Sequence, residues 1–147
     1  MRIIYDIFED NIKENLKHQK EIIDISIVDD SSARKCFETV INIKHTNKIT
    51  PLEIIRLIDN KRKYPEMLEF DKQTCSKLKE MEYIIEDMCC EYCYKNLVMY
   101  LFENEFVEAV TSNFRFDEPA FNVKFKIKYN EEYNEKELIE YIKKEFE

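Results

Sequence analysis

Two cysteines three residues apart, Cys90 and Cys93, are the side chains in this sequence best placed to do chemistry. Their spacing lets one turn of backbone present two thiolates to a tetrahedral zinc ion. A structural zinc takes four ligands, commonly as two pairs, so others are wanted from Cys89, Cys36, Cys75, His18 or His45. Left reduced and without metal, the same cysteines serve as small, partly buried hydrophobes. A thioredoxin-like redox pair is a third use. It requires the cysteines to open a helix after a strand, whereas the apolar run behind Cys93 predicts a strand.

His45 ends a predicted strand and enters the polar turn His45–Lys48, where it is either a ligand or an exposed turn residue. His18, among Lys17, Gln19 and Lys20, reads as a surface residue. No serine is flanked by glycine, and neither histidine has an acidic partner at a telling spacing. Carboxylates are too abundant for one acid–base pair to stand out. The residues point away from an enzyme and from a small-molecule substrate.

Two basic clusters could meet phosphates or a ribonucleoprotein: Lys124, Lys126 and Lys128 from one strand face, and Lys61, Arg62 and Lys63 from a loop over 59–66. Otherwise they are the solvated faces of a charged protein. The formal net charge of -8 opposes broad binding to a phosphate backbone.

These residues need a scaffold. The chain of 147 residues is long enough for one domain with a real core, spanning 1–147. It has no glycine, which excludes glycine-rich phosphate loops and the dinucleotide fingerprint and leaves tight turns to Asn and Asp. No apolar run reaches membrane-spanning length, and no leader-like segment opens the chain. Five cysteines, an odd number with three crowded at 89–93, read as reduced thiols or ligands. A cytoplasmic protein without membrane contact is expected.

Alternation at Ile23, Ile25 and Ile27, again over Phe37–Ile43, and most clearly at Phe121, Val123, Phe125, Ile127 and Tyr129, predicts three strands. Residues 3–16 fit either helix or strand. Thr50-Pro51-Leu52-Glu53 is a helix-start signature, with a short helix over about 51–59 as the local reading. Leu78, Met81, Ile85 and Met88 predict a helix over 72–88, followed by a buried strand at Leu97–Leu101. Asn134 with Glu137 opens a last helix around 135–146.

In order, these segments resemble the CXXC-motif zinc-binding protein family. The matching stretches are Arg2–Ile12, Val40–Lys48 leading to Glu53-Ile54-Ile55-Arg56-Leu57, Cys90 to Leu101, and Phe106 to Phe121 with Glu118-Pro119. The resemblance implies a mainly β fold with a few helices, β-sandwich-like and in two related halves; an α+β arrangement is the alternative. It also implies a strand at 51–59 in place of the helix, because strand context overrides local propensity. His45 and Lys48 stand where the family has its first cysteine pair, and an ammonium is a poor ligand. Either zinc is lost, or Cys90, Cys93 and His45 hold one ion in an altered site. A shortened, metal-degraded member is similar to ribosome dormancy (hibernation) factors related to this family. That likeness implies a non-catalytic, translation-inhibiting protein at a tRNA site such as the exit site, touching rRNA and proteins of the large subunit. The alternatives are a free zinc-binding, metal-handling or adaptor domain, and a CxxC redox protein.

Overall fold

The computed structural model describes residues 1–6, 12–31, 37–59, 66–88, 90–115 and 121–146. In chain order the elements are β1 (Arg2–Tyr5), α1 (Ile12–Leu16), β2 (Ile22–Ser31), β3 (Phe37–His45), α2 (Pro51–Asp59), β4 (Met67–Asp71), β5 (Leu78–Asp87), α3 (Glu91–Glu103), β6 (Val107–Ser112), β7 (Phe121–Asn130) and α4 (Glu135–Phe146). The fold is mainly β with a few helices, as expected. Its strands form one antiparallel sheet in the order β2-β3-β1-β4-β6-β7-β5, not two facing sheets. The reason is legible in β7: Val123, Phe125 and Ile127 are buried while Lys124, Lys126 and Lys128 are exposed, so this strand has only one apolar face to cover. Helices cover that face.

The expectation of two related halves is met in the connectivity. From β1 to β4 the chain runs β-α-β-β-α-β with strand order 4-1-3-2, the split βαβ topology of ferredoxin-like domains. From β5 to α4 it repeats β-α-β-β-α, and β6, β7 and β5 take the places of β2, β3 and β1 with the same relative directions. β4 joins the halves by pairing with both β1 and β6.

Local chemistry accounts for most elements and overturns three expectations. α2 is the helix that its capping signature indicates, with the Glu53 amide donating to Thr50 Oγ1 at 3.2 Å. The strand implied there by resemblance is therefore corrected. Ile54, Ile55 and Ile58 lie on its buried face, a 3.6-residue period that no strand could bury on one side. The helix expected over 72–88 is instead a loop and β5. Met81, Tyr83 and Ile85 turn inward opposite Ile127, Phe125 and Val123, and Glu80, Glu82 and Glu86 turn outward. The strand expected at Leu97–Leu101 is α3, whose buried Tyr94, Leu97, Val98, Leu101 and Phe102 recur at helical spacing. Of the ambiguous 3–16 region, β1 is strand and Ile12–Leu16 is helix. The last helix begins at an Asn134 cap, whose Oδ1 accepts from the Lys136 amide at 2.8 Å.

One apolar core runs beneath all the helices. Tyr94 stacks on Phe114 at 4.3 Å, and Phe70 meets Phe102 edge-on at 4.9 Å. α3 and α4 are clasped by two tyrosines: each hydroxyl donates to the other's carbonyl, Tyr100 to Tyr141 at 2.8 Å and Tyr141 to Tyr100 at 2.6 Å. With no glycine available, Gln73 and Asn122 take left-handed backbone angles, at φ 58° and 55°.

Candidate thiolate site

Cys90 caps the N-terminus of α3 in extended conformation, and Cys93 sits in its first turn. Their sulfurs are 3.8 Å apart. That separation matches the roughly 3.8 Å expected between two thiolates on a tetrahedral ion with metal–sulfur bonds near 2.3 Å. Cys90 is exposed and Cys93 half-buried, so the pair faces solvent from the end of a 13-residue helix. Unpaired amides at a helix N-terminus favour negative charge beside them. The pair opens a helix directly after strand β5, which is the arrangement a redox dithiol needs; the objection drawn from a predicted strand falls.

The next two residues fix this turn to the sheet. Tyr94 is fully buried; its hydroxyl donates to the Leu68 carbonyl at 2.7 Å and lies 2.6 Å from Ser112 Oγ. Lys95 is 4% exposed and bridges Asp6 at 2.9 Å and Glu66 at 2.5 Å. Desolvation alone would lower the Lys95 pKa, but the hydrogen bonds it donates to Glu66 and Asp6 outweigh it and hold it above its ordinary value. Asp6 follows β1 and Glu66 precedes β4, so three distant segments meet under the cysteine turn. Sequence reasoning missed both residues, since neither carries a motif and their partners are 18–89 residues away.

The structure does not bring His45 to the cysteines. His45 lies at the end of β3, the sheet end shared with Arg2 and Asp71. There it lines a cavity of about 760 Å³ with Lys44, Lys72 and Thr74. Lys72 Nζ donates to the Asn104 carbonyl at 3.0 Å, at the C-cap of α3. Cys90 is at the other end of that helix, about 20 Å away by helical rise. His45 Nδ1 is instead 2.7 Å from the Thr46 carbonyl, as suits a turn histidine. Among the described residues no group of three or more His, Cys, Asp or Glu could hold a metal. A four-ligand zinc site in one chain is therefore not assembled from Cys90, Cys93 and His45. Cys89 and Cys36 lie outside the described residues.

The lysine stripe is placed as expected, on the open face of the sheet. Lys128 and Lys126 stand directly opposite Glu80 and Glu82, and Lys124 Nζ is 3.9 Å from Glu82. Each positive charge thus has a carboxylate neighbour, and a groove of about 290 Å³ beside them is lined by Glu69, Asp71 and Glu80 as well as Arg2. The open face carries no aromatic side chain among the described residues on which a base could stack. Lys61, Arg62 and Lys63 lie outside the described residues. Among the described residues no helix is long and apolar enough to cross a membrane.

The strongest concentration of ligand chemistry is therefore a two-thiolate turn on a rigid base, set in the second of two split βαβ halves. No protein-family model, curated protein or solved structure matches the chain.

Proposed function

We propose that the protein is a non-catalytic, metal-handling module that takes a soft, thiophilic ion between Cys90 and Cys93. The observation that carries this reading is the 3.8 Å sulfur pair at the solvent end of α3. Soft thiolate ligands select monovalent copper or zinc. Sulfurs 3.8 Å apart hold an ion in a bent geometry, so monovalent copper would take a further ligand from elsewhere and zinc two. The turn is held by Tyr94 and Lys95, so binding orders little, and the exposed Cys90 leaves the ion open to a partner's thiolates. Anaerobic titration with cuprous ion against a colorimetric chelator tests this. One tightly held ion per chain supports it; competition no better than free thiols sinks it. A redox dithiol would use the same sulfurs, but would form its disulfide reversibly with glutathione and show one thiol of depressed pKa.

A second reading is a ribosome-associated dormancy factor, for which the face of the seven-stranded sheet that carries Lys124, Lys126 and Lys128, without a covering helix among the described residues, would be the docking platform. It predicts co-sedimentation with large subunits that weakens as salt rises. Recovery in the ribosome-free fraction at low salt would remove it.

A further inference from the structure

The two halves differ in one respect. In the first, the lane beside β1 is filled by β4; in the second, the equivalent lane beside β5 holds no strand among the described residues, and β5 is an outer edge of the sheet. We infer that this edge is a docking lane for an extended, basic segment of a partner protein, which adds as an antiparallel strand. The inference is independent of the metal site.

The filled lane shows what such a strand must look like. β4 sets Phe70 against Ile3 on the helix side and Asp71 against Arg2 on the open side, apolar to apolar and charge to opposite charge. β5 offers Met81, Tyr83 and Ile85 on the helix side, the last two half-buried, and Glu80, Glu82 and Glu86 on the open side. Its existing neighbour β7 answers with Val123, Phe125 and Ile127 alternating with lysines. A strand on the free side meets the same residues, so it needs the same alternation of apolar and basic side chains. Ile84, 52% exposed on this strand, gains cover from it.

The acidic residues also decide against a second copy of this chain. An antiparallel β5–β5 pairing that keeps the apolar faces together, centred on Tyr83, sets Glu80 opposite Glu86; centred on Glu82 it sets Glu82 opposite itself. Like charges directly opposed disfavour pairing, and charged edges are how sheets refuse their own kind. The other edge, β2, has no such vacancy, since no strand of the repeat is missing beside it.

The test uses the whole protein and a labelled peptide of β5's length, alternating Val or Ile with Lys. Its counterpart carries Glu in place of Lys. Fluorescence anisotropy and amide hydrogen exchange are read together. The expected result is binding of the basic peptide about tenfold or more tighter than the acidic one. Exchange should slow at β5 amides and stay unchanged at β2. The Glu80→Lys variant narrows the preference. Equal affinity for the two peptides, protection at β2, no protection at β5, or self-association of the free protein through β5 overturns the inference. The wild-type measurements decide it without any variant.

Discussion

Replacing Lys72 by methionine should flatten a rise in stability that the wild-type protein shows between about pH 7 and pH 9.5. Lys72 is 6% exposed, packed over the rings of Phe102 at 4.9 Å and Phe70 at 5.8 Å. Desolvation lowers its pKa from 10.5 to about 8, against the opposing pull of Glu108 and Glu105. Below pH 8 the lysine is charged both folded and unfolded, and burying that charge costs about 3 kcal/mol, at roughly 1.4 kcal/mol per tenfold change in proton affinity. Between 8 and 10.5 the folded protein releases the proton while the unfolded chain keeps it, so the cost is relieved and stability climbs with pH. About 2 kcal/mol of this is recovered by pH 9.5, or roughly 4–8 °C in Tm for a chain of this size. Above pH 10 the trend reverses, because burial holds the hydroxyls of Tyr100, Tyr129 and Tyr141 above their ordinary value while unfolded tyrosines ionise. Urea unfolding of wild type and Lys72→Met across this range is the assay, and the difference between the two curves cancels other titrations. Parallel curves would refute the reasoning.

Three further outcomes follow from the same packing. Lys95→Met strands Asp6 and Glu66, which are 19% and 24% exposed, and should cost about 2–3 kcal/mol by urea unfolding; adding Asp6→Asn and Glu66→Gln should recover part of it. Tyr94→Phe leaves the buried Leu68 carbonyl without its donor and should cost about 1–3 kcal/mol, seen as a lower Tm. Gln73→Gly relieves a left-handed backbone angle and should raise stability by about 0.5–1 kcal/mol, read as a higher urea midpoint at unchanged slope.

The strands with clean alternation, β2, β3 and β7, and the capped helices α2 and α4 were legible in the sequence, because one amphipathic period and one cap residue suffice for each. β5 and α3 were exchanged for their opposites. Met81 and Ile85 satisfy a four-residue step as well as a two-residue one, and only the pairing with β7, 43 residues later, selects the strand. Leu97, Met99 and Leu101 alternate, yet Tyr94, Leu97, Val98, Leu101 and Phe102 hold the stronger helical period, and it was available. That exchange mattered chemically, since it decides whether Cys90 and Cys93 open a strand or a helix. The buried groups Lys72, Lys95 and Glu108 were beyond reach, because charged residues look solvated until a fold encloses them. Glu108 accepts from the Thr74 hydroxyl at 2.6 Å, a partner 34 residues away.

The measurement that bears most directly on the thiolate site is cuprous-ion stoichiometry in the wild type, Cys93→Ser and His45→Ala, under anaerobic conditions with a competing chelator. One ion per chain in wild type and His45→Ala, and none in Cys93→Ser, is the predicted result. Loss of the ion in His45→Ala, or equal weak binding in all three, would contradict it.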